Sequence, residues 1–153
     1  MTAAAPLYSV VVPTVGRPSL ARLLDGLAAQ RGPRPQEVVV VDDRPDPSTP
    51  LLERSSWPYP LRVVRGWGRG PAAARNLGWR LTTTEWVEFL DDDVVLPAGW
   101  ARTLAVDLAL LAPDVGGSHR RRGDEQHRRQ EGDGSDVLEG CLAGGGARSH
   151  EPS

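Results

Sequence analysis

The chain has 153 residues, of which 39% are hydrophobic, and its formal net charge is −2 at pH 7. This length suits one domain with a buried core, and the small net charge excludes a general attraction to nucleic acid or to an anionic membrane, so we expect no nucleic-acid partner. One cysteine excludes an intramolecular disulfide, and no stretch approaches the roughly 20 apolar residues of a membrane span.

The first predicted unit is a strand followed by a helix. Residues 8–12 are a β-branched run that ends at Pro13, which is typical of a buried strand. A turn follows, and Ser19 is the candidate N-cap of a helix that ends before Gly32. The apolar residues of this helix recur at helical spacing and are Leu20, Leu23, Leu24, Leu27 and Ala28.

The second predicted strand runs directly into acidic residues. Residues 37–41 include four consecutive valines, and Asp42 and Asp43 come next. A continuous valine run indicates an interior parallel strand that is buried on both faces and needs helices on both sides. The two acids should therefore lie at the carboxyl end of an interior strand.

Weaker elements follow this strand. Residues 44–50 contain three prolines and should be irregular. Residues 51–54 predict a short helix. Residues 61–64 predict a third, short strand.

A glycine-rich loop precedes the second long helix. Three glycines within residues 66–70 surround a tryptophan and an arginine, and Pro71 begins a helix that ends at about residue 81. Proline suits the first helical position, and the free N–H groups of a helix start favour an anion. Arg75 stands among alanines and can reach a ligand there, whereas we expect Trp67 and Trp79 to be packing residues.

Three consecutive carboxylates follow the fourth predicted strand. Residues 86–90 are mostly apolar and lead into Asp91, Asp92 and Asp93. Two like charges about 4 Å apart repel by roughly 1 kcal/mol in water and about 4 kcal/mol near a protein surface, so we expect a cation beside them. Oxygen ligands favour Mg²⁺ or Mn²⁺, which bind one or two carboxylates together with phosphate oxygens. The triplet predicts a metal-bound diphosphate; the alternative is acids that only cap a turn.

The order of the elements predicts how these acids are arranged. A further helix runs from about residue 100 to residue 111, so strands alternate with helices as in a mostly parallel, Rossmann-like α/β sheet. Right-handed crossovers place the carboxyl ends of parallel strands on one edge, where such sheets bind ligands. Asp42, Asp43 and the Asp triplet should share that edge.

The composition changes at about Ser118. The last 36 residues contain only three large apolar side chains together with many arginines and glycines. We therefore predict an α/β domain over residues 1–117 and a disordered tail over residues 118–153. The histidines and the cysteine of this tail have no spacing that indicates a metal site.

Four motifs resemble the ordered signatures of the inverting, family-2-type glycosyltransferases. They are SVVVPTVGRP at residues 9–18, VVVVDD at 38–43, GPAAARNLG at 70–78 and FLDDDVVLPAGW at 89–100. The resemblance covers roughly residues 7–117. It implies the GT-A fold, a Rossmann-like nucleotide-binding fold, and metal-dependent transfer of a sugar, with inversion, from a nucleoside diphosphate sugar to an acceptor hydroxyl.

The resemblance also implies which residues bind the nucleotide. Pro13 and Thr14 would line the nucleotide pocket, and an acid of the pair Asp42 and Asp43 would hydrogen-bond the base. The resemblance leaves open which of the two acids does so.

The remaining implied site residues lie nearer the diphosphate. Arg75 and Asn76 would lie near the diphosphate or ribose. Asp91 would face the ribose or sugar, Asp92 would belong to the same donor site, and Asp91 and Asp93 would be the ligands of Mg²⁺ or Mn²⁺.

The sequence departs from the family after Gly117. The family's general base is an acid beyond the D-x-D strand, and no acidic motif in such a context follows here, so we expect the base to be absent from this chain. We hypothesise an apparently truncated fold, in which the tail comes from a truncated or frame-shifted reading of a longer gene. A truncated sheet would expose apolar faces and favour self-association.

Location and acceptor follow from weaker signals. The N-terminus has no signal-peptide pattern, which predicts a cytoplasmic protein that could work at the inner face of the membrane. The acceptor would be a glycan, a lipid or a small molecule. Two alternatives are a catalytically inactive nucleotide-binding fragment and a nucleotidyltransferase, but the loop after the first strand lacks the lysine expected of the latter.

Overall fold

The computed structural model describes residues 5–111, in which strands and helices alternate. The elements are β1 (Tyr8–Thr14), α1 (Ser19–Ala29), β2 (Glu37–Asp42), β3 (Leu61–Arg65), α2 (Pro71–Leu81), β4 (Trp86–Phe89) and α3 (Trp100–Leu110). The predicted tail, with its histidines and cysteine, lies outside the described residues.

The four strands form one parallel sheet in the order β3-β2-β1-β4. Strand β1 is central, with Thr14 paired with Asp42 at its carboxyl end and Val11 paired with Phe89 on its other side. The carboxyl ends of β1, β2 and β4 therefore lie on one edge. The predicted parallel α/β sheet is confirmed.

The valines of β1 and β2 divide between two cores because successive side chains of a strand point to opposite faces. Val10, Val12, Val38 and Val40 pack with the leucines of α1 and with Leu108 of α3. On the other face, a smaller core is formed by Val11, Val39, Val41, Val87 and Ala74 of α2. The valine run is fully buried, as an interior strand covered on both faces requires.

Two local predictions are wrong. Residues 51–54 form no helix; instead the side chains of Leu51 and Leu52 pack against the larger core from an irregular segment. Ser19 is the first helical residue of α1 and not its N-cap, because Pro18 already has near-helical torsion angles (φ −58°, ψ −24°) and takes the capping position.

Candidate functional site

A pocket of about 310 Å³ opens at the carboxyl edge of the sheet. Volumes of about 300–1,000 Å³ are typical of ligand sites. The pocket brings together most of the residues that the sequence predicts for the donor site, namely Pro13, Thr14, Asp43, Arg75, Asp91, Asp92 and Asp93. Asp42 and Asn76 do not line it, and their ligand contacts stay predictions.

Asp92 is the buried member of the Asp triplet, with 5% of its surface exposed. Its Oδ2 accepts a hydrogen bond of 2.6 Å from the Thr14 hydroxyl, and that hydroxyl accepts one of 3.0 Å from the Gly16 N–H. The Thr14 oxygen thus donates one bond and accepts another. These bonds join the end of β1 to the loop after β4 and fix the triplet beside the pocket.

Asp91 and Asp93 are the exposed members of the triplet, with side-chain exposures of 58% and 61%. Arg75 of α2 donates a hydrogen bond to Asp91. Nη1 of Arg17 lies 3.4 Å from Asp93 Oδ2 and 3.4 Å from Asp92 Oδ1. Exposed ion pairs contribute only about 0–1 kcal/mol, so these carboxylates can exchange their arginine partners for a ligand at small cost.

Asp43 holds the glycine-rich loop at the start of α2. Its Oδ1 accepts a hydrogen bond of 3.2 Å from the Arg69 N–H, and its Oδ2 accepts one of 2.8 Å from the Gly70 N–H. The close approach requires Gly66, where an added Cβ would lie 2.7 Å from Asp43 Oδ1. Asp43 is buried and at the N-terminal end of a helix, where a negative charge is stabilised.

Asp42 faces a different environment from its neighbour. The Arg44 guanidinium makes a bidentate contact with the Asp42 carboxylate: Nε lies 2.9 Å from Oδ1, and Nη2 lies 2.8 Å from Oδ2. The hydrogen bonds and charge of Arg44, with a smaller effect of the Arg65 charge, hold the pKa of the Asp42 carboxyl below its usual value. Of the two acids that the sequence leaves open, Asp43 is the one that lines the pocket.

The two predicted packing tryptophans behave differently. Trp79 packs against the smaller core, as predicted. Trp67 is 75% exposed, so the prediction that it packs is wrong. Its backbone is left-handed (φ 66°) in the loop whose N–H groups at Arg69 and Gly70 are held by Asp43. The loop therefore holds Trp67 in a position where its indole is exposed to solvent and not packed in a core.

Arg17 is a charged pocket residue that the sequence reasoning missed, and Val15, which also lines the pocket, was missed with it. Arg17 lies in the turn between β1 and α1, directly after Gly16, whose φ of +84° favours glycine. The signal was present in the motif, because an arginine four residues after the end of a predicted buried strand belongs to the same edge as the acids. Its pairing with the Asp triplet depends on the tertiary structure.

The pocket suits a divalent cation that shares its coordination with a ligand. Within residues 5–111 no three His, Cys, Asp or Glu side chains form a ready-made metal cluster. Asp91 and Asp93 nevertheless present two exposed carboxylates, and Mg²⁺ usually binds one or two carboxylates together with water and substrate phosphates. The residues therefore fit such an ion when a phosphate ligand completes its coordination.

The helices of the described part of the chain are too short or too polar for a membrane span.

Residues 9–139 match the family described as Glycosyl transferase family 2. This match spans most of the chain, and the chain belongs to that family. The match also runs beyond residue 117, where the sequence predicts the end of the domain, and that boundary stays a prediction.

Solved structures support the GT-A-like fold. Residues 1–349 of TarS from S. aureus are 31% identical with a TM-score of 0.56, covering 69% of this chain and 32% of that chain. TarS has also been solved in complex with UDP-GlcNAc. The mannosyltransferase PcManGT from Pyrobaculum calidifontis, in complex with GDP-Man and Mn²⁺, is 31% identical with a TM-score of 0.55, covering 72% of this chain and 34% of that chain.

A curated relative covers a similar region. An uncharacterized glycosyltransferase of Haemophilus influenzae is 33% identical over 89 residues, which are 57% of this chain and 29% of that protein. The chain thus spans about a third of the length of these relatives.

Proposed function

We propose that this chain carries the donor site of a glycosyltransferase that transfers a sugar from a nucleoside diphosphate sugar to an acceptor hydroxyl. The observation that carries the proposal is the pocket at the carboxyl edge, where the arginines Arg17 and Arg75 and the exposed carboxylates of Asp91 and Asp93 converge. Two similar structures, of TarS and PcManGT, contain such donors, UDP-GlcNAc and GDP-Man.

The arginines of the pocket would bind the diphosphate. A guanidinium matches phosphate oxygens with two parallel N–H groups, and charge-assisted hydrogen bonds of this kind are about twice as strong as neutral ones. Arg75 projects from the first half of α2, and Arg17 lies on the neighbouring turn after β1. A diphosphate between them would also lie near the N-terminal end of α2, where the helix dipole favours a negative charge.

Asp43 is the acid that we assign to the base. Each of its oxygens accepts one backbone hydrogen bond, and an ionised carboxylate has about four acceptor sites, so it can accept a further bond from a base N–H. Pro13 and Thr14 line the same pocket from the end of β1. Asp42 is already bound by Arg44, and we assign it a structural role.

Asp91 and Asp93 would hold Mg²⁺ or Mn²⁺. A bound divalent ion would supply charge stabilisation to the departing diphosphate. The chain's own carboxylates provide the negative charge that selects such an ion, and the Thr14 bond to Asp92 keeps the triplet in place. The presence of Mn²⁺ in the PcManGT structure is consistent with this assignment.

The reaction would be a single displacement with inversion. An acceptor hydroxyl loses its proton to a general base and attacks the anomeric carbon as the bond to the diphosphate breaks. We assign the base to the acceptor-binding part of the family's domain, outside residues 5–111. The acceptor would be a glycan, a lipid or a small molecule.

Release of nucleoside diphosphate from a donor tests this proposal. We expect the purified chain with Mn²⁺ to release UDP from UDP-GlcNAc or GDP from GDP-mannose faster than a protein-free control, because water can replace the acceptor. Asp93→Asn should lower the release at least tenfold, a loss of about 1.4 kcal/mol in transition-state binding. Asp107→Asn, in an exposed residue of α3, should leave it unchanged. Nucleotide binding without any release would support the inactive-fragment alternative and contradict catalysis.

A further inference from the structure

In the pocket at the carboxyl edge, the carboxylates of the triplet are paired with arginines. The triplet is neutralised from two sides, by Arg75 at Asp91 and by Arg17 at Asp92 and Asp93. Arg17 is the one that contacts two members of the triplet, one buried and one exposed. It therefore pairs with the carboxylate of Asp93, which the proposed function assigns to a metal ion.

The contacts of Arg17 are loose compared with those of Arg44. Arg44 is 15% exposed and binds both oxygens of Asp42 at 2.8 and 2.9 Å. Arg17 is 57% exposed, and both of its 3.4 Å contacts are made by Nη1, beyond the 2.7–3.2 Å of an ordinary N–H···O bond. Among residues 5–111, its Nε and Nη2 have no hydrogen-bond partner. Arg44 is therefore held tightly at Asp42, whereas the exposed, long contacts of Arg17 can be exchanged for other partners at small cost.

We propose that Arg17 is a partner-switching residue. Without nucleotide, it is the counter-ion of Asp92 and Asp93; when the donor binds, its guanidinium moves to the diphosphate oxygens and leaves Asp93 to the metal ion. This inference rests on the proposed function and deepens it. Arg17 then opposes metal binding to the empty site and favours nucleotide binding to the metal-loaded site.

The switch couples the two ligands. If Arg17 and the metal ion compete for Asp93 in the empty pocket, a nucleotide that draws Arg17 away raises the affinity for the metal ion. By linkage, the metal ion raises the affinity for the nucleotide by the same factor. Metal ion and nucleotide should therefore bind cooperatively, and part of that cooperativity should depend on Arg17.

The test compares four proteins: the unmodified full chain, Arg17→Met, Arg17→Lys and Arg22→Met. Methionine keeps much of the stem and removes the charge, and Arg22 is an exposed arginine of α1 that serves as the matched control. Free Mn²⁺ is measured by electron paramagnetic resonance without nucleotide, and UDP, GDP and dTDP binding are measured by calorimetry with saturating Mn²⁺. Circular dichroism checks the fold of each variant.

The two measurements should change in opposite directions. We expect Arg17→Met to bind Mn²⁺ alone about tenfold more tightly, because a positive charge that competes with the ion for Asp93 is removed. We expect it to bind the nucleotide about tenfold more weakly, because a charge-assisted contact is lost. The Mn²⁺ and nucleotide affinities of Arg17→Lys should both lie between those of wild type and Arg17→Met. Both affinities of Arg22→Met should match those of wild type.

The outcomes separate this inference from the proposed function. If wild type binds UDP, GDP or dTDP and Arg17→Met has the same Mn²⁺ and nucleotide affinities, the partner switch is wrong and the donor site stands. If wild type binds none of UDP, GDP and dTDP, the proposed function itself is contradicted, and the switch that rests on it falls with it. A parallel loss of both affinities in Arg17→Met would also overturn the switch, because it would mean that Arg17 only supports the fold of the site.

Discussion

At the scale of single residues, the Thr14 hydroxyl connects the strand ends that build the pocket at the carboxyl edge. It donates to Asp92 and accepts from the Gly16 N–H, and both Thr14 and Asp92 are buried. A buried carboxylate that loses a hydrogen-bond donor becomes costly. The Thr14 hydroxyl therefore contributes directly to the position of the buried Asp92.

Thr14→Val should lower the free energy of unfolding by about 1.5–3 kcal/mol, the usual range for a hydrogen bond to a charged group. Valine keeps the shape of threonine, so the loss comes from the missing hydroxyl. Urea unfolding measures it. The matched control is Thr83→Val, in an exposed threonine before β4, which should change stability by less than about 0.5 kcal/mol. Equal effects in the two variants would contradict this role of Thr14.

At the scale of elements, helix α2 lies very close to the sheet at Gly78. A Cβ added at Gly78 would lie 2.3 Å from Val11 Cγ1 and 3.1 Å from Val41 Cγ2, both in the smaller core. The distance between α2 and the sheet in turn positions Arg75 at the pocket. Packing at Gly78 therefore sets the position of Arg75, three residues earlier in the same helix, at the pocket.

Gly78→Ala should destabilise the protein by about 1–3 kcal/mol, because extra volume in a packed core forces side chains or backbone to shift. Thermal or urea unfolding would measure the change. Gly26→Ala in α1 is the control: a Cβ there meets nothing within 4 Å, and alanine favours the helix by up to about 1 kcal/mol. A stabilising effect at both positions would show that α2 does not pack as described.

Much of the arrangement of helices and strands could be predicted from the sequence. The bounds of α2 were predicted correctly because Pro71 marks a first helical turn. Strand β2 was predicted because four consecutive valines require burial on both faces. At the site, the failures concern which side chains pair with which, and this depends on side-chain orientation and tertiary structure even where the partners are only two residues apart, as Asp42 and Arg44 are. Nothing in the local pattern shows that Asp42 is bound by Arg44 while Asp43 faces the pocket, or that Arg17 pairs with the triplet. The edge that carries the site was predictable, but the pairing of charges on it was not.

At the scale of the whole molecule, several arginine–aspartate ion pairs of the described residues lie near one edge of the sheet. The pairs are formed by Arg44 and Arg65 at Asp42, and by Arg17 and Arg75 at the triplet. Among these acids, Asp42 has a lowered pKa, caused mainly by its hydrogen bonds with Arg44. The overall stability should therefore depend on pH through this residue. Self-association through exposed apolar surface stays a prediction.

The sign of this dependence follows from the direction of the shift. The pKa of Asp42 is lower in the folded than in the unfolded protein, so its stabilising contribution is full above the unfolded value of about 3.9 and is lost as the pH falls through the folded value. Asp42→Asn should cost about 1–3 kcal/mol at pH 7. That difference should shrink as the pH falls below about 4 in urea titrations at pH 7, 5 and 3. A stability difference that grows on acidification would contradict the ion pair. The control Asp107→Asn should show no pH-dependent change in its stability difference from wild type.

The central claim is that the pocket at the carboxyl edge binds a nucleoside diphosphate together with a divalent ion. Calorimetric titration of the purified chain with UDP, GDP and dTDP, each with and without Mn²⁺, tests it most directly, and Asp93→Ala is titrated in parallel. We predict Mn²⁺-dependent binding of one nucleotide that is lost in Asp93→Ala. A folded chain that binds none of the three nucleotides, with or without Mn²⁺, would contradict the claim.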